Sequence, residues 1–150
     1  GEELRPLARI ASGGELSRIM LALKTLATTD APGKTLIFDE VDAGIGGAVA
    51  DVVGRRLQGL AERFQVLCIT HLPQIAACGA SHFRITKSVR KDRTTTEVMK
   101  LSGPEREQEM ARMIAGADVS AAVIASAREM LESRQGSQPR RGGNNSRRAR

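Results

Sequence analysis

The chain has 150 residues, 41% of them hydrophobic, and carries a formal net charge of +6 at pH 7. That length suits one domain with its own core, and no apolar run approaches the length of a membrane span. The charge is not spread evenly. Residues 1–133 hold 17 Lys+Arg and 17 Asp+Glu, whereas residues 134–150 hold Arg134, Arg140, Arg141, Arg147, Arg148 and Arg150 with no acid. The tail of Gln, Gly, Ser, Pro, Asn and Arg cannot bury a core and reads as disordered. It can hold phosphate backbones by charge alone, or be a solvated terminus with no specific task. The folded domain is therefore expected over 1–133.

The chain opens Gly1-Glu2-Glu3-Leu4, with no initiator Met and no signal peptide, and reads as a piece of something longer. Cys68 and Cys78 fit neither a metal-site nor a C-x-x-C spacing. Cys68 lies in an apolar run, which predicts a buried free thiol and suits a reducing cytoplasm.

Residues 1–11 form a short extended lead-in, with Pro6 against a helix there. Ser12, followed three residues later by Glu15, is a capping box. Leu16, Ile19, Met20, Leu23, Leu26 and Ala27 then follow helical spacing, which predicts an amphipathic helix over 14–28 that buries this stripe. Gly13 and Gly14 at its start leave backbone N–H groups open, and the helix end favours an anion. An ordinary capped helix fits those two glycines as well. Gly33-Lys34-Thr35 imitates the end of a phosphate-binding loop. Thr28 stands where that loop needs its first glycine, and the tripeptide runs into a strand instead of opening a helix, so it reads as a turn.

Thr35-Leu36-Ile37-Phe38 reads as a buried parallel strand. Asp39, Glu40 and Asp42 follow, then Ala43-Gly44-Ile45-Gly46-Gly47. Val49, Val52, Val53, Leu57, Leu60 and Phe64 predict a helix over about 47–62. Gln65–Thr70 is a second buried strand ending at His71, and Pro73 opens a short helix that ends near Gly79. Strand, helix, strand implies a parallel crossover. Asp39 and His71 are thereby brought to the edge where open α/β sheets place their ligands. Beyond them, His82–Val89 and Thr94–Leu101 predict an antiparallel hairpin, with Phe83, Ile85 and Val89 on one face. A helix from Gly103-Pro104-Glu105 to Gly116 turns Met110, Met113 and Ile114 inward. A last one over 119–133 buries Val119, Val123, Ala127, Met130 and Leu131. Phe38, Phe64 and Phe83 are the three aromatics. All three read as buried, which disfavours base stacking.

Taken together and in order, LARIASGGELSRIMLALK, TLIFDEVDAGIGG, VLCITHLPQIAA and ARMIAG make the chain resemble the C-terminal half of an ABC-type ATPase head, in its SMC-like DNA-repair branch. The likeness covers roughly residues 5–133. It implies an α/β fold: the C-terminal lobe of a P-loop ATPase head, with parallel strands, flanking helices and a β-hairpin.

The resemblance also implies roles. Ser12, Gly13, Gly14 and Glu15 stand as the signature motif, which acts on ATP bound to a second head. Asp39 stands as the Walker B aspartate holding Mg²⁺, Glu40 as the general base, Asp42 as the D-loop and His71 as the switch histidine. The implied cofactors are ATP and Mg²⁺. The implied partners are an N-terminal half carrying the phosphate loop, a second head, and DNA, with no membrane. Two other classes stay open. One is a non-catalytic nucleic-acid binder acting through the basic tail. The other is a metal-dependent nuclease or phosphatase using Asp39, Glu40, Asp42 and His71.

Overall fold

The computed structural model describes residues 13–26, 33–90 and 93–135. Ser12 and its capping box, Ala27, and the tail beyond 135 lie outside these residues.

The elements follow the expected order. Helix α1 spans Gly13–Leu26, strand β1 Thr35–Phe38, helix α2 Gly47–Leu60 and strand β2 Gln65–Cys68. The short helix α3, Pro73–Ala76, precedes the hairpin of β3, His82–Arg90, and β4, Arg93–Leu101. Helices α4, Gly103–Ala115, and α5, Ala121–Gln135, complete the set. Strands β1 and β2 pair in parallel, with Thr35 opposite Gln65 and Phe38 opposite Cys68. Strands β3 and β4 pair antiparallel, from His82 opposite Leu101 to Arg90 opposite Arg93. Among the described residues no helix is long and apolar enough to cross a membrane.

Two apolar clusters hold these pieces. Leu21, Phe38, Val41, Ala50, Val53, Leu57, Leu60, Phe64 and Ile75 form the first, between α1, the β1–β2 pair and α2. Ala77, Met110, Ala111, Ala127 and Leu131 form the second, between the end of α3, α4 and α5. Gly54 lets α2 approach α3 closely. A β-carbon there would lie 2.8 Å from the Cys78 sulfur and 3.2 Å from the Gln74 carbonyl oxygen. Arg106 of α4 ties the second cluster to α3, donating to the carbonyls of Ala76, Ala77 and, at 2.6 Å, Gly79. The Glu105 carboxylate accepts the Ser102 backbone N–H at the start of α4, a capping arrangement of the kind expected at Ser12.

Several burial expectations fail. Leu16, Ile19, Met20 and Leu23 are exposed, and α1 instead turns Gly14, Ser17, Arg18 and Leu21 toward the body. Helical spacing shows which residues share a stripe, but not which stripe meets a neighbour. The strands are buried on one face only. Leu36, Phe38, Val66 and Cys68 face the first cluster, while Ile37 (69% exposed), Leu67 and Ile69 face outward. Val49, Val52, Val119 and Ile114 are exposed too, and Met113, Val123 and Met130 are only partly buried. Phe83, Ile85 and Val89 do alternate onto one face of the hairpin, but that face is open, and Phe83 is 51% exposed. Cys78 is the buried thiol, and Cys68 is only partly so; both are free. Burial, with the charges of Asp42 and Asp39, pushes the Cys68 thiol up to about 12, which keeps it protonated and unreactive.

Candidate functional site

The site forms where β1 and β2 end side by side. The Ile69 N–H donates to the Phe38 carbonyl at 3.0 Å, carrying the pairing one step past both strands. Asp39 and Glu40 leave β1 there, and Thr70 and His71 leave β2. The chain then turns tightly, with the Ala43 N–H donating to the Glu40 carbonyl at 3.0 Å. Val41, wholly buried, anchors this turn in the first cluster, while Asp39 and Glu40 stay exposed.

Glu40 takes a φ of +55°, the only positive value among the described non-glycine residues. A non-glycine residue in the left-handed region costs about 1–2 kcal/mol. Such strain persists where surrounding structure enforces it, often at functional sites. Here the enforcers are Val41 inside the core and two side chains of α1. Ser17 Oγ donates to the Asp39 carbonyl at 2.7 Å, and Arg18 donates to the carbonyls of Ala43 at 2.8 Å and Val41 at 3.3 Å.

The glycines at the start of α1 make that approach possible. A β-carbon on Gly13 would sit 2.5 Å from Glu40 Oε2. The Glu40 carboxylate thus lies against the positive end of α1, a favourable place for an anion. A β-carbon on Gly14 would meet Ala43 Cβ at 2.7 Å and the Glu40 carbonyl oxygen at 2.8 Å. The second contact is with backbone, which cannot swing aside. Gly14→Ala is therefore expected to destabilise the chain by about 1–3 kcal/mol through overpacking, read as a lowered denaturant midpoint. An unchanged midpoint would show that α1 does not press on this loop.

On the opposite side Asp42, only 4% exposed, accepts from Thr70 Oγ1 at 2.6 Å and from the His71 N–H at 2.8 Å. His71 Nδ1 lies 2.9 Å from the same carboxylate oxygen. Burial by itself would push this carboxyl up. The hydrogen bonds from Thr70 and the His71 N–H, with the nearby His71 ring, outweigh burial and hold it below the ordinary carboxylate range. The contribution to stability is present above the ordinary carboxylate pKa and is lost as pH falls through the lowered value.

The structure thus brings together Gly13, Gly14, Asp39, Glu40, Asp42 and His71 from positions far apart in the sequence. Glu15 is exposed on α1. The pairing of Asp42 with His71 inside one chain leaves those two side chains facing each other. Among the described residues no group of three or more His, Cys, Asp or Glu side chains is placed to hold a metal ion. Sequence reasoning missed Ser17, Arg18 and Thr70, which hold the loop. A signal was there for the first two: they lie one helical turn beyond Gly14 and share its face. Asp39, exposed at an open strand end, offers the hard oxygen donor that Mg²⁺ would take if bound there.

No family model matches the chain. Curated proteins do. It is 47% identical over 135 residues to the DNA repair protein RecN of Xylella fastidiosa, and 52% identical over 143 residues to that of Treponema pallidum. To RecN of Bacillus subtilis it is 45% identical over 132 residues. The chain is a relative of RecN. These matches take in 90%, 95% and 88% of the chain respectively. They span only about a quarter of each RecN protein, 24%, 24% and 23%, as a C-terminal fragment of RecN would.

Among solved structures, the chain resembles one from work on ATP-driven dimerization and DNA-stimulated activation of SMC ATPases. The TM-score is 0.50 and the identity 16%, over 79% of this chain and 70% of that one. The likeness is one of fold, and the expected α/β architecture with a parallel pair and an antiparallel hairpin agrees with it.

Proposed function

We propose that this chain is the signature and Walker B portion of an SMC-like ATPase head that powers DNA repair, as part of a longer RecN-type protein. The observation that carries the reading is the meeting of three elements at one sheet edge: the glycine start of α1, the Asp39-Glu40 end of β1 and the His71 end of β2. Phosphoryl transfer needs positioning and charge stabilisation more than covalent chemistry from the protein. An edge of carboxylates, histidine and bare backbone suits that task.

In this reading Asp39 holds Mg²⁺, which when bound neutralises charge on the phosphates. Glu40 accepts the proton of the attacking water, and His71 orients that water or the phosphate. Gly13 and Gly14, with Ser12 and Glu15, offer backbone N–H groups to a nucleotide on a second head, and Asp42 belongs to the loop between heads. The outward face of Ile37, Leu67 and Ile69, and the open hairpin face, are apolar surface of the kind that marks an interface. They suit cover by the remaining part of the head, which supplies the phosphate loop. DNA, a second head and a cytoplasmic setting complete the proposal.

By itself the chain is expected to show no Mg²⁺-dependent ATP hydrolysis and no tight ATP binding. Turnover by the purified 150-residue chain, retained through successive purification steps, would overturn the reading.

A further inference from the structure

Three carbonyls of the loop that follows β1 are bonded to α1. Ser17 Oγ donates to that of Asp39 at 2.7 Å, and Arg18 Nη1 donates to those of Val41 at 3.3 Å and Ala43 at 2.8 Å. The two carbonyls between them stay within the loop: Glu40 accepts the Ala43 N–H at 3.0 Å, and Asp42 the Ile45 N–H at 3.3 Å. From Asp39 to Ala43 the backbone acceptors thus alternate, one toward the helix and the next toward the loop. Glu40 has a carbonyl held by α1 on either side of it, and it is the residue at φ +55°. Among the described residues no hydrogen bond reaches its carboxylate. The direction of that side chain is therefore set by the backbone beneath it and by packing on Gly13, where a β-carbon would lie 2.5 Å from Oε2.

We propose that Arg18, assisted by Ser17, is a positioning residue that sets the aim of Glu40. A strained dihedral persists only while the contacts around it enforce it. The buried Val41 side chain and the hydrogen bond from Thr70 to Asp42 anchor the loop beyond Glu40. They keep the residue in its place at the sheet edge, and the donors of α1 fix its angle. A catalytic group displaced by about 1 Å can lose about 10²-fold in rate, so the angle matters more to turnover than to folding. Arg18 lies one helical turn beyond Gly14 on the same face, and a β-carbon on Gly14 would stand 3.2 Å from Arg18 Nη1. The helix start that faces a second head in the ATPase reading therefore also sets the base of its own head. The catalytic consequence rests on that reading.

In the complete protein, Arg18→Met keeps the length and apolar stem of the side chain and removes its donors. It is expected to lower kcat by about tenfold to a hundredfold, with KM and the equilibrium binding of ATP little changed. Arg18→Lys is expected to recover part of that loss, because one nitrogen serves both carbonyls and an ammonium can do the same. Ser17→Ala removes the single bond to the Asp39 carbonyl and is expected to lower kcat less than Arg18→Met. A side chain that serves folding alone gives another result. ATP-binding capacity then falls in step with kcat, and the molecules that still bind turn over at the wild-type rate. That result would overturn the proposal. So would an unchanged kcat in Arg18→Met, or a raised KM with kcat kept, which would make Arg18 a nucleotide contact instead. If Arg18→Met fails to fold, Arg18→Lys and Ser17→Ala decide, and an unchanged kcat in both overturns the proposal.

Glu40→Gln, run alongside, separates this inference from the reading beneath it. Wild-type protein without ATP turnover, or turnover that survives Glu40→Gln, sinks the ATPase reading and this proposal with it. Turnover that Glu40→Gln abolishes and Arg18→Met leaves intact sinks the proposal alone.

Discussion

Replacing Glu40 with glutamine in the complete protein is expected to abolish ATP turnover while nucleotide binding persists. Glutamine keeps the shape and the place against Gly13 but cannot take a proton from water. The loss of a general base corresponds to about 10²–10⁴-fold in rate. A steady-state hydrolysis assay, paired with equilibrium binding of ATP, measures both halves. Turnover at the wild-type rate would mean that another group activates the water. The backbone supplies a companion test. Glu40 sits at φ +55°, so Glu40→Gly removes the carboxylate and the left-handed strain together. Stability is expected to rise by about 1 kcal/mol, with activity still lost. Those two results together would mark a residue held there for chemistry and not for folding.

The second large effect belongs to the other end of the molecule. Met110 is fully buried in the cluster shared by α3, α4 and α5. Its buried neighbours are mostly small: Ala77, Ala111 and Ala127, with Leu131. Small side chains have little freedom to collapse into a void, so Met110→Ala is expected to cost about 2–5 kcal/mol. That is a large share of the stability of a domain this size. The denaturant midpoint should fall with the slope unchanged. A loss below about 1 kcal/mol would show that the cluster relaxes around the cavity. The effect also reaches the site. Ala77 closes α3, and α3 begins directly after His71 and Leu72, so loosening this cluster frees the segment that positions the histidine.

The order of elements was legible because each announces itself locally: glycines and proline at ends, period two in the hairpin, apolar runs in β1 and β2. The side-by-side ends of β1 and β2, which Asp39 and His71 follow, were legible too, because a parallel crossover brings two strand ends together whatever the side chains do. Burial was less so. Leu16, Ile19, Met20 and Leu23 mark a stripe correctly, but the body meets the neighbouring stripe of Gly14, Ser17, Arg18 and Leu21. Ile37 and Leu67 read as core because their strands are apolar on both faces, yet only one face is covered within this chain. The hydrogen bond from the His71 backbone N–H to the Asp42 carboxylate joins residues 29 apart in the sequence, and no local pattern encodes it.

Reconstitution with the rest of the protein tests the central claim most directly. The 150-residue chain is combined with the preceding portion of the RecN-type protein, which is expected to carry the phosphate loop, and Mg²⁺-dependent ATP hydrolysis is compared with that of each part alone. The account predicts turnover only for the combination, and none when the chain carries Glu40→Gln. Hydrolysis by the chain alone, or hydrolysis by the combination that survives Glu40→Gln, would contradict it.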